Sequence, residues 1–203
     1  MSADRLNNVK EYYFSKKLRE VASLINSGKP IINLGIGNPD LLPPETVVES
    51  LKKCFVNPKY SQYQSYQGIP GLRQAIAKFY QNHYSVNLDY KNEILPLIGS
   101  KEGIFHISMA FLNPGDKVLI PNPGYPAYKS VSNLIGAQTV EYKLEQKNNW
   151  QPDINELNKI NLSSVKLMWI NYPNMPTGAN AKENSYKELI EWGRKNKIII
   201  IND

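Results

Sequence analysis

From Ile69 onward the chain alternates short apolar runs with longer amphipathic stretches, and no other feature constrains its fold as strongly. The spacing predicts helices at Pro70–Tyr84, Lys101–Leu112, Pro126–Ile135, Ile154–Ile160 and Glu183–Asn196. Between them it predicts strands at Ile94–Ile98, Lys117–Ile120, Thr139–Leu144, Val165–Ile170 and Ile198–Ile201. Strands separated by helices of this length form a three-layer α/β architecture, a mostly parallel sheet with helices on both faces. The last run, Ile198-Ile199-Ile200-Ile201, is apolar throughout, as expected of a strand buried on both sides.

Ahead of this region, Val9, Tyr12, Tyr13, Leu18, Val21 and Leu24 recur at helical spacing and predict an amphipathic arm from Asn7 to Ile25, stopped by Ser27-Gly28-Lys29-Pro30. Pro43-Pro44 opens a helix expected to reach Phe55. The 203 residues, 41% of them hydrophobic, suffice for a substantial core. The formal charge of +6 comes from dispersed lysines, with pairs such as Lys16-Lys17 but no basic tract, which argues against a nucleic-acid partner. Cys54 is the single cysteine and cannot form an internal disulfide; beside Leu51 and Phe55 it reads as core. A reducing, cytoplasmic compartment is expected. No run approaches the roughly 18 apolar residues of a membrane span, and Met1-Ser2-Ala3-Asp4-Arg5 is too polar for a secretory signal.

The ends of the predicted strands carry the chemistry. Gly99-Ser100-Lys101-Glu102-Gly103 leaves one strand and opens a helix, so backbone N–H groups, a hydroxyl and an ammonium converge at a positive helix end. This is a phosphate cradle in physical terms, although a Gly-Ser turn capping a helix is commonplace. It lacks the spacing of a P-loop, and Gly35-Ile36-Gly37 lacks the third glycine of a dinucleotide fingerprint. The prolines of Pro121-Asn122-Pro123-Gly124-Tyr125-Pro126 stiffen a turn that can hold an aromatic ring at a fixed angle. Taken alone, Tyr125 and Tyr128 read as core caps with their hydroxyls in water. Asn171 to Gly178 forms a polar turn after the next strand, and Asp203 places a carboxylate at the sheet's carboxyl edge. Phosphate donors, a stacking ring, a polar turn and a carboxylate together suit a phosphorylated pyridine.

In order and spacing these segments resemble the N-terminal half of class I/II aminotransferases, the fold-type I enzymes that use pyridoxal 5'-phosphate, in particular aspartate and LL-diaminopimelate aminotransferases. The most specific pieces are Gly35 to Asp40, Tyr63 to Arg73, Asp116 to Tyr125, and Pro173-Asn174-Met175-Pro176-Thr177-Gly178 followed by Asp203 at the expected distance. The resemblance implies an N-terminal arm and part of a small domain in residues 1–45. Residues 46–203 are then an incomplete cofactor-binding large domain, truncated before the C-terminal small domain.

By position, Gly99, Ser100 and Lys101 resemble the phosphate cradle, and Tyr125 the ring that stacks on the pyridine. Asn174 stands in the turn that meets the cofactor, and Asp203 resembles the carboxylate that keeps the pyridine nitrogen protonated. Tyr63 resembles the tyrosine that reaches the phosphate of the neighbouring subunit, with Tyr66 as a competitor, which implies a homodimer. Gly37 resembles the glycine beside the substrate carboxylate. Met175 departs from the usual asparagine that bonds the ring hydroxyl, leaving Asn174 or Asn171 to replace it. The family's Schiff-base lysine and substrate-clamping arginine lie beyond Asp203, so no catalytic residue is expected in this chain. No metal site is expected either. The implied reaction is amino-group transfer between an amino acid and a 2-oxo acid; a lyase or decarboxylase of the same fold, or a non-catalytic sensor or dimerisation domain, are the alternatives.

Overall fold

Pro70 and Pro126 each stand in the first turn of a helix, where the missing N–H has no intrahelical partner to lose, and both helices start where the prolines predict. The computed structural model describes residues 3–7, 9, 11–35, 37 and 39–203. They divide into two compact units, Lys10–Pro96 on one side and Met1–Val9 with Leu97–Asp203 on the other.

The unit Lys10–Pro96 carries α1 (Tyr13–Asn26), α2 (Glu45–Phe55) and α3 (Pro70–Tyr84). Cys54 is half-buried on α2. Arg73 of α3 is buried, and its guanidinium donates to the carbonyls of Tyr90 and Lys91, tying the helix to the segment that follows it. The amphipathic arm is shorter than expected. A 3-10 turn at Asp4–Leu6 precedes α1, which begins at Tyr13 rather than at Asn7.

In the second unit α4 (Ser100–Phe111) leads to β1 (Lys117–Asn122), α5 (Pro126–Leu134), β2 (Gln138–Lys143), α6 (Ile154–Leu157), β3 (Val165–Ile170), α7 (Glu183–Asn196) and β4 (Ile199–Asn202). The four strands pair in parallel in the order β2-β1-β3-β4. Successive side chains point to opposite faces. Val118, Ile120, Leu167 and Trp169 therefore pack with Ile104 of α4 and Tyr128 of α5. Leu119, Met168 and Ile170 pack on the other side with Leu157 of α6 and with Leu189 and Trp192 of α7. Burial on both faces explains why β3 reads as an almost continuous apolar run, and it makes the fold the expected α/β three-layer type.

One expected strand is absent. Residues 94–98 form no strand among the described residues, and Ile98 is almost fully exposed. A strand exists only as part of a ladder, and Pro96 removes one of the donors such a ladder needs. Helix α6 also stops at Leu157, short of the expected Ile160.

The chain leaves the carboxyl end of β1 through α5 to β2 on one side, then crosses through α6 to β3 on the other. The connections thus diverge between β1 and β3. In open parallel sheets ligands bind outside the carboxyl ends of the strands at such a switch point.

Candidate functional site at the strand tips

Three strand tips and one helix start meet at this edge. Gly99 adopts φ 90° and ψ 160°, a region essentially closed to residues with a Cβ, and it turns the chain directly into α4. No side chain among the described residues caps that helix end, and a Cβ built on Gly99 would meet nothing within 4 Å. The first-turn N–H groups are therefore approachable, and the helix dipole favours an anion there. Glu102 turns back to accept from the backbone N–H of Ile98, fixing the approach to the helix. Ser100 and Lys101 are both exposed in this first turn.

The ammonium of Lys101 lies 5.7 Å from the ring centroid of Tyr125, within cation–π range. Tyr125 sits at the N-cap of α5, and its ring meets Tyr128 edge-on at 5.8 Å. Gly124 makes this possible: a Cβ there would collide with the carbonyl oxygen of Pro121, and a backbone atom cannot give way. Gly124→Ala is accordingly expected to open the turn and destabilise the chain by about 1–3 kcal/mol. Urea denaturation measures it, and an unchanged midpoint would show the turn to be tolerant. At the same tip Asn122 donates to Glu141 at 2.7 Å, bracing the loop against β2. Lys129 also bonds Glu141 and holds its carboxyl below the usual range.

Tyr128 is buried, contrary to the expectation that its hydroxyl reaches water. Its ring stacks on Trp169 of β3 at 5.2 Å with an interplanar angle of 9°, and its hydroxyl donates to Asp203 Oδ2 at 2.7 Å. Burial, and next the hydrogen bond to Asp203, push this phenol far above its ordinary range, so it stays protonated. Asp203 follows β4, with its N–H bonded to the carbonyl of Ile170 at 3.0 Å. Asn171 donates to the Asp203 carbonyl at 2.9 Å and accepts from the N–H of Met175 at 2.8 Å, so one side chain joins the tips of β3 and β4.

Asn174 is buried and turned into its own loop. Its Oδ1 accepts from Thr177 Oγ1 at 2.7 Å, and its Nδ2 reaches the carbonyl of Asn171 at 3.4 Å. Met175 is exposed. A continuous series of contacts thus runs from Lys101 through Tyr125, Tyr128 and Asp203 to Asn171 and Asn174. Tyr63, with Tyr66 near it in sequence, and Gly37 are exposed residues of the other unit. The neighbours of Gly37, Ile36 and Asn38, lie outside the described residues.

Sequence reasoning missed the parts played by Tyr128 and Asn171. The signal was present in both cases: Tyr128 follows Tyr125 by one helical turn, and Asn171 is the first residue past β3. Two polar clefts of about 410 and 400 Å³ lie elsewhere, both touching Lys147, Asn148 and Asp153. Asp153 already caps α6 there, which leaves these clefts as surface recesses.

Comparison with known proteins agrees with this fold. The family described as "Aminotransferase class I and II" matches residues 29–203. LL-diaminopimelate aminotransferase of Aquifex aeolicus is 39% identical over 201 residues, which cover 99% of this chain and 52% of that protein. The enzyme of the same name from Halothermothrix orenii is 39% identical over 202 residues, covering 100% and 52%. Among solved structures, apo-BacF from Bacillus subtilis superposes with a TM-score of 0.93 at 35% identity, covering 100% of this chain and 52% of that one. An aspartate aminotransferase variant of Thermus thermophilus reaches 0.93 at 23% identity, covering 100% and 53%, and speaks for the fold alone. The chain spans about half the length of the curated relatives it matches. With a parallel sheet whose tips gather an approachable helix end, a tyrosine ring and a carboxylate, and with the family match over residues 29–203, the chain belongs to the class I and II aminotransferases.

Proposed function

We propose that this chain contributes the cofactor-holding part of a pyridoxal 5'-phosphate-dependent aminotransferase that exchanges an amino group between an amino acid and a 2-oxo acid. Pyridoxal 5'-phosphate, when bound, supplies a pyridine ring able to accept the electrons freed at a substrate's α-carbon. The observation that carries the reading is the placement of Asp203, whose Oδ2 is taken by Tyr128 while Oδ1 has no hydrogen-bond partner among the described residues.

The donor set fits the group from three sides. Ser100, Lys101 and the N–H groups after Gly99 would hold the phosphate, since the α4 end is open and positive. Tyr125 would cover one face of the ring. The Asp203 carboxylate would keep a proton on the ring nitrogen, because a neutral residue there leaves the cation without a counter-charge. Asn174 would serve by shaping the turn rather than by contact, since its amide is already engaged by Thr177 and Asn171. Met175, exposed and with its N–H held by Asn171, leaves the ring hydroxyl to other donors.

Tyr63 would reach the phosphate of a neighbouring subunit in a homodimer, and Gly37 would lie by the substrate carboxylate. The name that these relatives share directs the choice of substrate toward LL-diaminopimelate; a cytoplasmic, amino-acid biosynthetic role is part of the same proposal. Domain boundaries follow the family, with residues 1–45 as arm and small-domain segment and 46–203 as the larger domain. Supplying the holoenzyme with LL-diaminopimelate and a 2-oxo acid tests the reading by the appearance of a new amino acid from the acceptor. Release of ammonia without any acceptor would make it a lyase. Retention of the cofactor with no transfer to any acceptor would make it a sensor domain.

A further inference from the structure

We propose that Tyr128 is a positioning residue that fixes the Asp203 carboxylate for the ring nitrogen of the cofactor, an inference that rests on the reading of Asp203 given above. Asp203 follows a sheet-edge strand, where a side chain with two rotatable bonds has several orientations open to it. Its backbone is held on both sides, by the carbonyl of Ile170 at 3.0 Å and the amide of Asn171 at 2.9 Å. Those bonds leave the carboxylate itself free to turn. The Tyr128 hydroxyl removes that freedom by donating to Oδ2 at 2.7 Å, a short, charge-assisted bond.

Tyr128 can do this because it is itself immobile. Only 1% of its surface is exposed, and its ring lies flat against Trp169 at 5.2 Å. Its backbone carbonyl also accepts from the buried Ser132 Oγ at 2.7 Å. With Oδ2 engaged, Oδ1 is the oxygen left to accept from a ring N–H. The donated bond also stabilises negative charge on the carboxylate, so the shared proton is held on the nitrogen side. A group positioned in advance in this way does not have to be ordered when the ligand arrives.

Tyr128→Phe keeps the ring and its stacking and deletes only the hydroxyl. In the holoenzyme this variant is expected to bind pyridoxal 5'-phosphate about tenfold more weakly, the usual effect of losing a hydrogen bond to a charged group. The ¹⁵N resonance of labelled cofactor is expected to move from the pyridinium position toward that of a neutral ring. Ser132→Ala loosens the same helix without touching the carboxylate. It is expected to lower the melting temperature while leaving the ¹⁵N resonance in place. The inference is overturned by Tyr128→Phe binding within about twofold of wild type with an unmoved resonance, or by Ser132→Ala reproducing its shift. Asp203→Ala separates the two levels. If it weakens cofactor binding strongly while Tyr128→Phe does not, only the role of Tyr128 falls; if it has no effect, the reading of the site falls with it.

Discussion

Asp203→Ala is expected to weaken cofactor binding in the holoenzyme by about 10²- to 10⁴-fold, because removing one member of an ion pair that the bound cofactor would bury costs roughly 3–5 kcal/mol. The same change strips Tyr128 of its acceptor. A buried hydroxyl left without a partner costs about 1–3 kcal/mol, so the unfolding midpoint in urea is expected to fall as well. Asp203→Asn distinguishes the two effects. Its amide oxygen still accepts from Tyr128, which preserves the fold, but it offers no charge to a pyridinium nitrogen. Equilibrium dialysis of pyridoxal 5'-phosphate should therefore show a large loss in both variants, with the stability loss confined to alanine. Binding by the asparagine variant within about threefold of wild type would remove the carboxylate from its proposed role.

The largest effect on the fold itself is expected at Trp169. This side chain is buried on β3 against Val118, Ile120 and Tyr128, and its Nε1 has no hydrogen-bond partner among the described residues. Its contribution is therefore packing alone. Trp169→Ala leaves a cavity in a sheet face that cannot collapse around it, at a cost of about 3–5 kcal/mol. Set against a typical total of about 5–15 kcal/mol, that loss removes much of the stability of the chain. Trp169→Phe retains an aromatic surface for Tyr128 and should lose far less. Circular dichroism during urea titration checks both, and an alanine variant within about 1 kcal/mol of wild type would show that the stack on Tyr128 does not hold this face together. Because Tyr128 lies on Trp169, the alanine variant should also weaken the cofactor site, which links core packing to function at a single contact.

The elements that local chemistry specifies were legible. Helix α3 runs from Pro70 to Tyr84 and α7 from Glu183 to Asn196, as their periodicity predicts, and β3 coincides with the apolar run Val165–Ile170. Proline at the helix start and apolar spacing act within a few residues, so a linear reading captures them. The segment 94–98 shows where such a reading fails. Its composition is that of a strand, but pairing depends on a neighbour far away in the chain, and none of the described strands lies beside it.

The candidate site divides along the same line. Tyr125 and Asp203 were legible as positions because each follows an apolar run that forms a strand, at the edge where parallel sheets place their ligands. Gly99, Ser100 and Lys101 were legible as a helix start, the run before them forming no strand among the described residues. Asn174 was legible as a turn residue, but the direction of its amide was not. Thr177 and Asn171 take it up, and only the folded loop shows which groups it faces.

By itself the sequence determined most of the alternation of helix and strand, the parallel sheet that follows from it, and the turns that carry Tyr125 and Asp203 at the carboxyl edge. Hydrophobic period, proline placement and turn chemistry are short-range properties, and they suffice for that much. Tertiary structure alone decided the order β2-β1-β3-β4, the switch point between β1 and β3, and the burial of Tyr128 beneath Asp203. The hydroxyl and the carboxylate stand 75 positions apart, and their 2.7 Å contact exists only because β1 and β3 lie side by side with Trp169 between the helix and the strand tip. A hydrogen bond of that range is a property of packing, which no local pattern of residues encodes.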